Sequence, residues 1–515
     1  MKKSITLILM LAMMFSLVAC SRDGGGGELS TSNELTKEDV ISICIPSHPS
    51  WPYQENWKVW EYIEEGVGAT LDIMAVPETD YGTKITLMFT DAKTLPDIVV
   101  FGGKLPVDTY SAQGALVAVE DVEKHMPTMT AFYNSLSDDE YNQKVHMSRS
   151  ADGKQYFIPN FGRDKATNVR AWLYRKDIFD KHNLKVPTTY DELYEVCKTL
   201  KGIYPDSYPY CIRSKLANLD VTGPSWKPYW VTGIYYDYNS EKWCYGAIED
   251  TMREVIEFHS KMIEEGLLTP NFITIDTASW EELITTDRGF IMPEYQTRID
   301  YFNSIARDKN LEFKLSAMVP PVADKENGVN MVNKYNVDPD GLSICNTGNE
   351  ERIINAARYI DWLYTDEARE LVSWGKEGET YELVDGKKKY ITDAAGTQIQ
   401  TLYGFNSNGS FSLIDSEAVT ASESSDIVEV RELVLEHTID RGNPEGNVAF
   451  TDDEMSRRTA IWSDISTYAN EMIAKFILKQ EPMSKFDEFV DNIKNMGIDE
   501  LLGIYDTAYN RMLGK

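Results

Sequence analysis

Residue types that build metal, redox and nucleotide sites are scarce in this sequence or lack the spacing such sites need. Six histidines (48, 125, 146, 182, 259 and 437) are scattered over 515 residues. With no His-x-x-x-His pair and no Cys-x-x-Cys, a zinc site has no support. No Gly-x-x-x-x-Gly-Lys-Ser/Thr phosphate loop and no Gly-x-Ser-x-Gly elbow occurs, which removes two common routes to nucleotide and hydrolase chemistry. Cysteine is also rare. Apart from Cys20 there are Cys44, Cys197, Cys211, Cys244 and Cys345, an odd set, several in apolar runs, that reads as buried free thiols rather than a disulfide framework. Positive charge is short: 51 Lys and Arg face 82 Asp and Glu, a net charge of −31. That excludes nucleic acid and an anionic membrane surface as partners. It also weighs against a polyanionic ligand, unless a local basic patch overrides the average field. With so many carboxylates, pairs at glycosidase spacing are inevitable and carry no evidence of hydrolysis.

Long apolar runs are absent except at the N-terminus. Lys2 and Lys3 precede the apolar stretch Ile5 to Val18, the pattern of an export signal and too short for a spanning helix. Leu17-Val18-Ala19-Cys20 resembles the bacterial lipobox, which implies cleavage after residue 19 and a fatty-acylated, palmitate-type anchor on Cys20. Residues 20–36, with Gly24 to Gly27, read as a flexible leash. A plain secreted protein is the alternative.

The remaining chain is long enough for two domains or one bilobal body. Val40 to Pro46, Ala69 to Val76 and Asp97 to Phe101 read as strands. Helices are expected between them, from about Gln54 to Glu65 and from Tyr81 to Phe89. Strands alternating with helices imply a parallel sheet, whose ligands sit at the carboxyl ends of the strands. The pattern restarts near Asp152, with strands at Trp172 to Tyr174, Gly289 to Met292, Leu315 to Val319 and Gly341 to Cys345. Thr189 and Glu192 form a capping-box signature for a helix running to about Leu200. Another helix is expected from Asp250 to Glu265, and the C-terminal part is largely helical, with Ile461, Ile465, Tyr468, Met472 and Phe476 on one face.

Aromatic residues in expected loops stand out. Trp51, Trp226, Tyr229, Trp230, Tyr295 and Trp374 follow strand or helix ends instead of lining one helical stripe. A sugar ring offers a flat C–H face that suits an indole, with polar neighbours for its hydroxyls. Each of these aromatics taken singly has packing in a core as its ordinary reading.

Several stretches together resemble the extracellular solute-binding proteins of ABC sugar importers, in particular their large Gram-positive lipoprotein subfamily. They are Leu95-Pro96-Asp97-Ile98-Val99, Asp152 to Pro159, Tyr174-Arg175-Lys176-Asp177 through Glu192, Trp374 to Glu382, and the closing helices from Phe476 to Arg511. The resemblance implies a type II periplasmic-binding-protein-like α/β fold: two lobes, each a mixed sheet flanked by helices, joined by a multi-strand hinge. Its implied division is 37–158 plus 322–400 for the N-terminal lobe and 159–321 plus 401–515 for the C-terminal lobe. Carried over to this chain, the family's ligand contacts fall on Trp51, Arg163, Asp164, Trp226, Trp230, Tyr295, Gln296 and Trp374. Trp374 could equally pack a helix end, and Arg163 could bridge to Asp164. Alginate-type relatives carry a calcium loop after the helix that begins near Thr189. Here Lys201 to Pro209 holds one carboxylate, so no calcium is expected there, and no cofactor is implied.

The expected function is a monomeric, lipid-anchored receptor on the outer face of a Gram-positive cell membrane. It would capture an oligosaccharide, a neutral one by the charge argument, and deliver it to ABC permease subunits without catalysis. The rivals are the same fold binding a peptide or a uronate oligomer, and a secreted carbohydrate-active enzyme.

Overall fold

The structure, a computed structural model, describes residues 35–49, 51–162, 170–213, 216, 218–226, 231–323, 325, 328–333, 340–392, 397–405, 410–439 and 448–513. The first apolar run becomes β1 (Val40–Ser47), which lies parallel to β2 (Thr70–Pro77) along its whole length and to β3 (Ile98–Phe101) on its other side. Two residues, Ile158–Pro159, form β4. The helix Lys58–Val67 buries Val59, Trp60, Tyr62, Ile63 and Val67, three and four apart on one face, and ends at Gly68 with φ +77°. That left-handed C-cap is a conformation glycine adopts without a Cβ penalty.

Side chains alternate across this sheet, as the pleat requires. Ile41, Ile43, Ile45, Ile98 and Val100 enter one buried core, whereas Cys44, Val99 and Phe101 enter the core on the opposite face. The second sheet behaves alike. β5 (Arg170–Arg175) sends Trp172 and Tyr174 one way and Ala171 and Leu173 the other.

After β5 come the hairpin β6 (Ile234–Asp237) and β7 (Lys242–Tyr245), then β8 (Ile291–Tyr295), β9 (Leu315–Met318), β10 (Val332–Asn333) and β11 (Gly341–Ile344). β11 enters the first sheet antiparallel to both β3 and β4, so the order is β2-β1-β3-β11-β4. β5 is flanked by β8 and β9, both antiparallel. The parallel pattern expected from alternation therefore holds for β1 to β3 and not here. Single-helix crossovers connect the first three strands, but a long excursion separates β5 from β8 and leaves strand direction unconstrained.

The described chain passes from one pair of cores to the other between 161 and 171, between 332 and 342, and between 418 and 427. At the first and third passages the backbone of Phe161 exchanges hydrogen bonds with the 412–414 segment: its N–H donates to Ser412 O at 2.7 Å and its carbonyl accepts from Ile414 N–H at 3.1 Å. The long helix Asp452–Ile477 starts on a full capping box, Thr451 with Glu454. Among the described residues no helix is long and apolar enough to cross a membrane, and no cluster of His, Cys, Asp or Glu could hold a metal ion.

Candidate ligand-binding face

β1 ends at Ser47 and β2 at Pro77, in register, so the loop after β1 and the helix after β2 begin at one sheet edge. His48 and Trp51 stack there, ring centroids 3.6 Å apart and planes 7° from parallel. Nε2 of His48 lies 3.9 Å from Glu78 Oε2. At the same edge, Asn160 follows β4. Its backbone N–H donates to Asp340 O, while its buried side-chain amide finds no partner among the described residues.

The matching edge of the second sheet is built around one carboxylate. β5 and β8 are antiparallel with Arg170 opposite Tyr295. The Arg170 guanidinium lies 3.6 Å from the centre of the Tyr295 ring and donates through Nη1 to Glu294 Oε1 at 2.7 Å. The segment beside β8, fixed by the Cys211 N–H to Ile291 O bond, carries Arg213. Arg213 Nε sits 2.6 Å from Glu294 Oε2, and its guanidinium lies 4.8 Å from the Trp280 ring centre. Arg298 opens the following helix and donates to Glu281 at 2.9 Å.

Glu294 is only 1% exposed. Burial alone would raise its pKa, but the positive charges of Arg170, Arg213 and Arg298 together hold it below the ordinary carboxylate value. Next to this group, Gln296 is wholly buried, and neither its side-chain oxygen nor its nitrogen has a hydrogen-bond partner among the described residues.

The two edges share an electrostatic field. Burial, then the charges of Arg298 and Arg213, push His48 down to about 4. Burial raises Glu78 against the pull of Arg213. His48 and Glu78 of the first edge thus lie within electrostatic reach of arginines of the second.

Of the residues expected from the sequence, Trp51 lies at the first of these edges and Tyr295 and Gln296 at the second. Trp226 lies elsewhere: it is buried in the core of the second sheet, edge-on to Tyr190 at 4.5 Å and tilted against Phe258. Trp374 is also internal. Its Nε1 donates to Asp415 at 2.8 Å and its ring stacks on Tyr390, so it ties the end of the helix Asp366–Ser373 to the segment before the third passage. For both tryptophans the expectation of stacking on a ligand gives way to core packing, because burial rewards a large aromatic ring wherever it falls in the chain. Cys20, Arg163, Asp164 and Trp230 lie outside the described residues. Sequence reasoning missed Arg213, Arg298 and Glu294, and gave His48, in the loop after the first strand, no role of its own. Their one signal was position: each lies at or just beyond the end of an apolar strand-like run.

Residues 59–373 match the family model described as bacterial extracellular solute-binding protein. The chain is 21% identical over 382 residues to lipoprotein LipO of Bacillus subtilis, covering 70% of this chain and 72% of that one. It is 23% identical over 372 residues to a carbohydrate ABC transporter substrate-binding protein of Streptococcus pneumoniae, covering 70% and 68%. The crystal structure of alginate-binding protein AlgQ2 without calcium ion superposes with a TM-score of 0.76 at 21% identity, covering 93% of this chain and 99% of that one. At that identity the superposition speaks for the two-lobe α/β fold. The chain belongs to the bacterial extracellular solute-binding proteins, a family that binds solutes and does not turn them over.

Proposed function

We propose that this protein is the receptor of an ABC importer, held outside the cell by fatty acyl chains on Cys20, and that it binds an oligosaccharide between its lobes for delivery to permease subunits. The observation that carries the sugar reading is the composition of the two sheet edges: the Trp51–His48 stack on one, and on the other the Tyr295 ring and the Gln296 amide, which has no hydrogen-bond partner among the described residues. A pyranose ring supplies a C–H face for the first and hydroxyls for the second. The relatives named for carbohydrate and alginate binding support the same class, and LipO, named a lipoprotein, supports the reading of Leu17 to Cys20.

For the lobes, the change of buried core between 418 and 427 supports a boundary there. Arg163 and Asp164 as polar groups and Trp230 as a stacking group are further contacts in this proposal. Ligand touching both edges stabilises whichever arrangement brings them together, so lobe closure is the working motion. The receptor acts as a monomer.

The test is a panel of oligosaccharides incubated with the purified chain lacking residues 1–19. A ligand at one hundred times its Kd stabilises the native state by about 2.7 kcal/mol, which reads as a rise in melting temperature. Chromatography of the same mixtures must show no new products; turnover would reject the receptor reading. For the anchor, Cys20→Ser should release the protein from membranes into the medium.

A further inference from the structure

Leu105 and Met147 sit on the lobe of the first sheet and pack against the core of the second. The helix Lys104–Ala112 opens just after β3, at the edge where β1 also ends, and touches the helix Asp452–Ile477, whose Ile461, Ile465 and Phe476 belong to the second lobe's core. Leu105, in the first turn of the shorter helix, is partly buried against that core, and so is Met147, from the single turn His146–Ser148. Their chain neighbours go the other way: Val107 and Val145 enter cores of the first lobe. The apolar pair thus bridges the lobes at the edge that carries His48 and Glu78.

A buried ion pair ties the two bridging segments together. Lys104 Nζ donates to Asp108 Oδ2 at 2.7 Å, with both side chains nearly closed to water, and Ser150 Oγ donates to Asp108 Oδ1 at 2.5 Å. Lys104 adjoins Leu105, and Ser150 follows shortly after Met147 in the chain, so one carboxylate joins the helix to the segment that carries the methionine. A buried ion pair adds little net stability, and its best-attested use is to fix register. The register fixed here is that of Leu105 relative to Met147.

Burying apolar surface between the lobes is favourable whether or not a ligand is present, so these residues give the lobes a closing tendency of their own. A ligand that needs the closed form then binds with an apparent affinity scaled by the fraction already closed. Resting on the receptor reading above, we propose that Leu105 and Met147 are an interlobe clasp, set in register by Lys104, Asp108 and Ser150, that draws the ligand-free lobes together and so tunes affinity without selecting the ligand.

Small-angle X-ray scattering of the ligand-free mature chain reads the lobe separation. The double variant Leu105→Gln with Met147→Gln should have a larger radius of gyration than wild type at unchanged circular dichroism, since both side chains are only partly buried. Leu105→Met with Met147→Leu, which keeps the apolar contact at similar volume, should match wild type. Should the double Gln variant fail to fold, Leu105→Ala alone is measured in its place. Equal radii in wild type and the folded disrupting variant overturn the clasp. Lys104→Met with Asp108→Leu removes both charges together and leaves neither unpaired; a larger radius supports the positioning role of the ion pair, and an unchanged one overturns it. Any oligosaccharide of the panel that binds should leave the double Gln variant roughly tenfold faster than wild type, and an unchanged rate overturns the link to affinity. Silence from every saccharide counts against the receptor reading, while the ligand-free scattering still decides the clasp.

Discussion

Arg170 and Glu294 meet at 2.7 Å on neighbouring strands, each with less than a tenth of its side chain open to water. The pair fixes the end of β5 against the end of β8, and the Glu294 carboxylate is the hub on which Arg213 also converges.

Glu294→Gln should therefore cost about 3–5 kcal/mol, because it leaves buried guanidiniums without their counter-charge; urea unfolding at pH 7 measures it. The folded carboxyl sits below its ordinary value of 4.5 and binds fewer protons than in the unfolded chain. Its contribution is thus present above that value and fades as pH falls through the depressed one. The wild-type chain should lose stability in that acid window with a steeper slope than the variant.

Gln296→Leu should behave in the opposite way. Removing a buried amide that has no partner among the described residues relieves a desolvation cost of about 1–3 kcal/mol, so the melting temperature should rise. Affinity for any bound saccharide should fall in the same protein, since the amide is a proposed contact. A variant that is both less stable and equally able to bind would show that Gln296 is an ordinary packing residue.

Two tryptophans separate contact from scaffold. Trp51→Ala, at a partly buried ring outside the cores, should leave unfolding nearly unchanged and weaken saccharide binding by roughly tenfold or more. Trp374→Phe, which breaks the bond to Asp415, should cost about 2–4 kcal/mol of stability and leave affinity alone. Paired chemical unfolding and calorimetry read both quantities.

Asp300 lies in the helix that begins at Arg298 and accepts a hydrogen bond from Ser424, at the third passage. Burial raises its pKa from 3.8 to about 6. A carboxyl with a raised folded pKa holds its proton longer in the native state, so stability declines as pH climbs from about 4 to 6. Asp300→Asn should flatten that decline and be more stable at pH 7 by on the order of 2–3 kcal/mol; melting curves between pH 4 and 7 check it.

Local pattern made much of this fold legible. The apolar run at 40–46, the Thr189 cap and the spacing of Ile461, Ile465 and Phe476 carry their structure in neighbouring residues, and β1, the helix Tyr190–Ile203 and the helix Asp452–Ile477 formed where they pointed. The hairpin β6–β7 was not legible. Tyr235-Tyr236-Asp237-Tyr238 followed by Asn239-Ser240-Glu241 has no clean alternation, and its pairing depends on packing against the C-terminal helix, as in the Trp243–Tyr505 ring contact at 4.8 Å. The charged wall was hidden for another reason. Arg170, Arg213 and Arg298 come from three separate parts of the chain, and only the pairing of β5 with β8 and the segment beside it brings them onto Glu294. Trp226 shows the converse: a tryptophan in an irregular stretch looks the same in sequence whether it faces a ligand or a core.

The late entry of β11 bears on how the molecule comes into being. The strand that fills the gap between β3 and β4 is synthesised after the whole of the second sheet. Until Ile344 has emerged, β3 has a bare edge and β4 has no neighbour to bond. A chain that stalls or is clipped before that point holds an unfinished sheet, an easy substrate for proteases, so the cell should accumulate whole receptors or none.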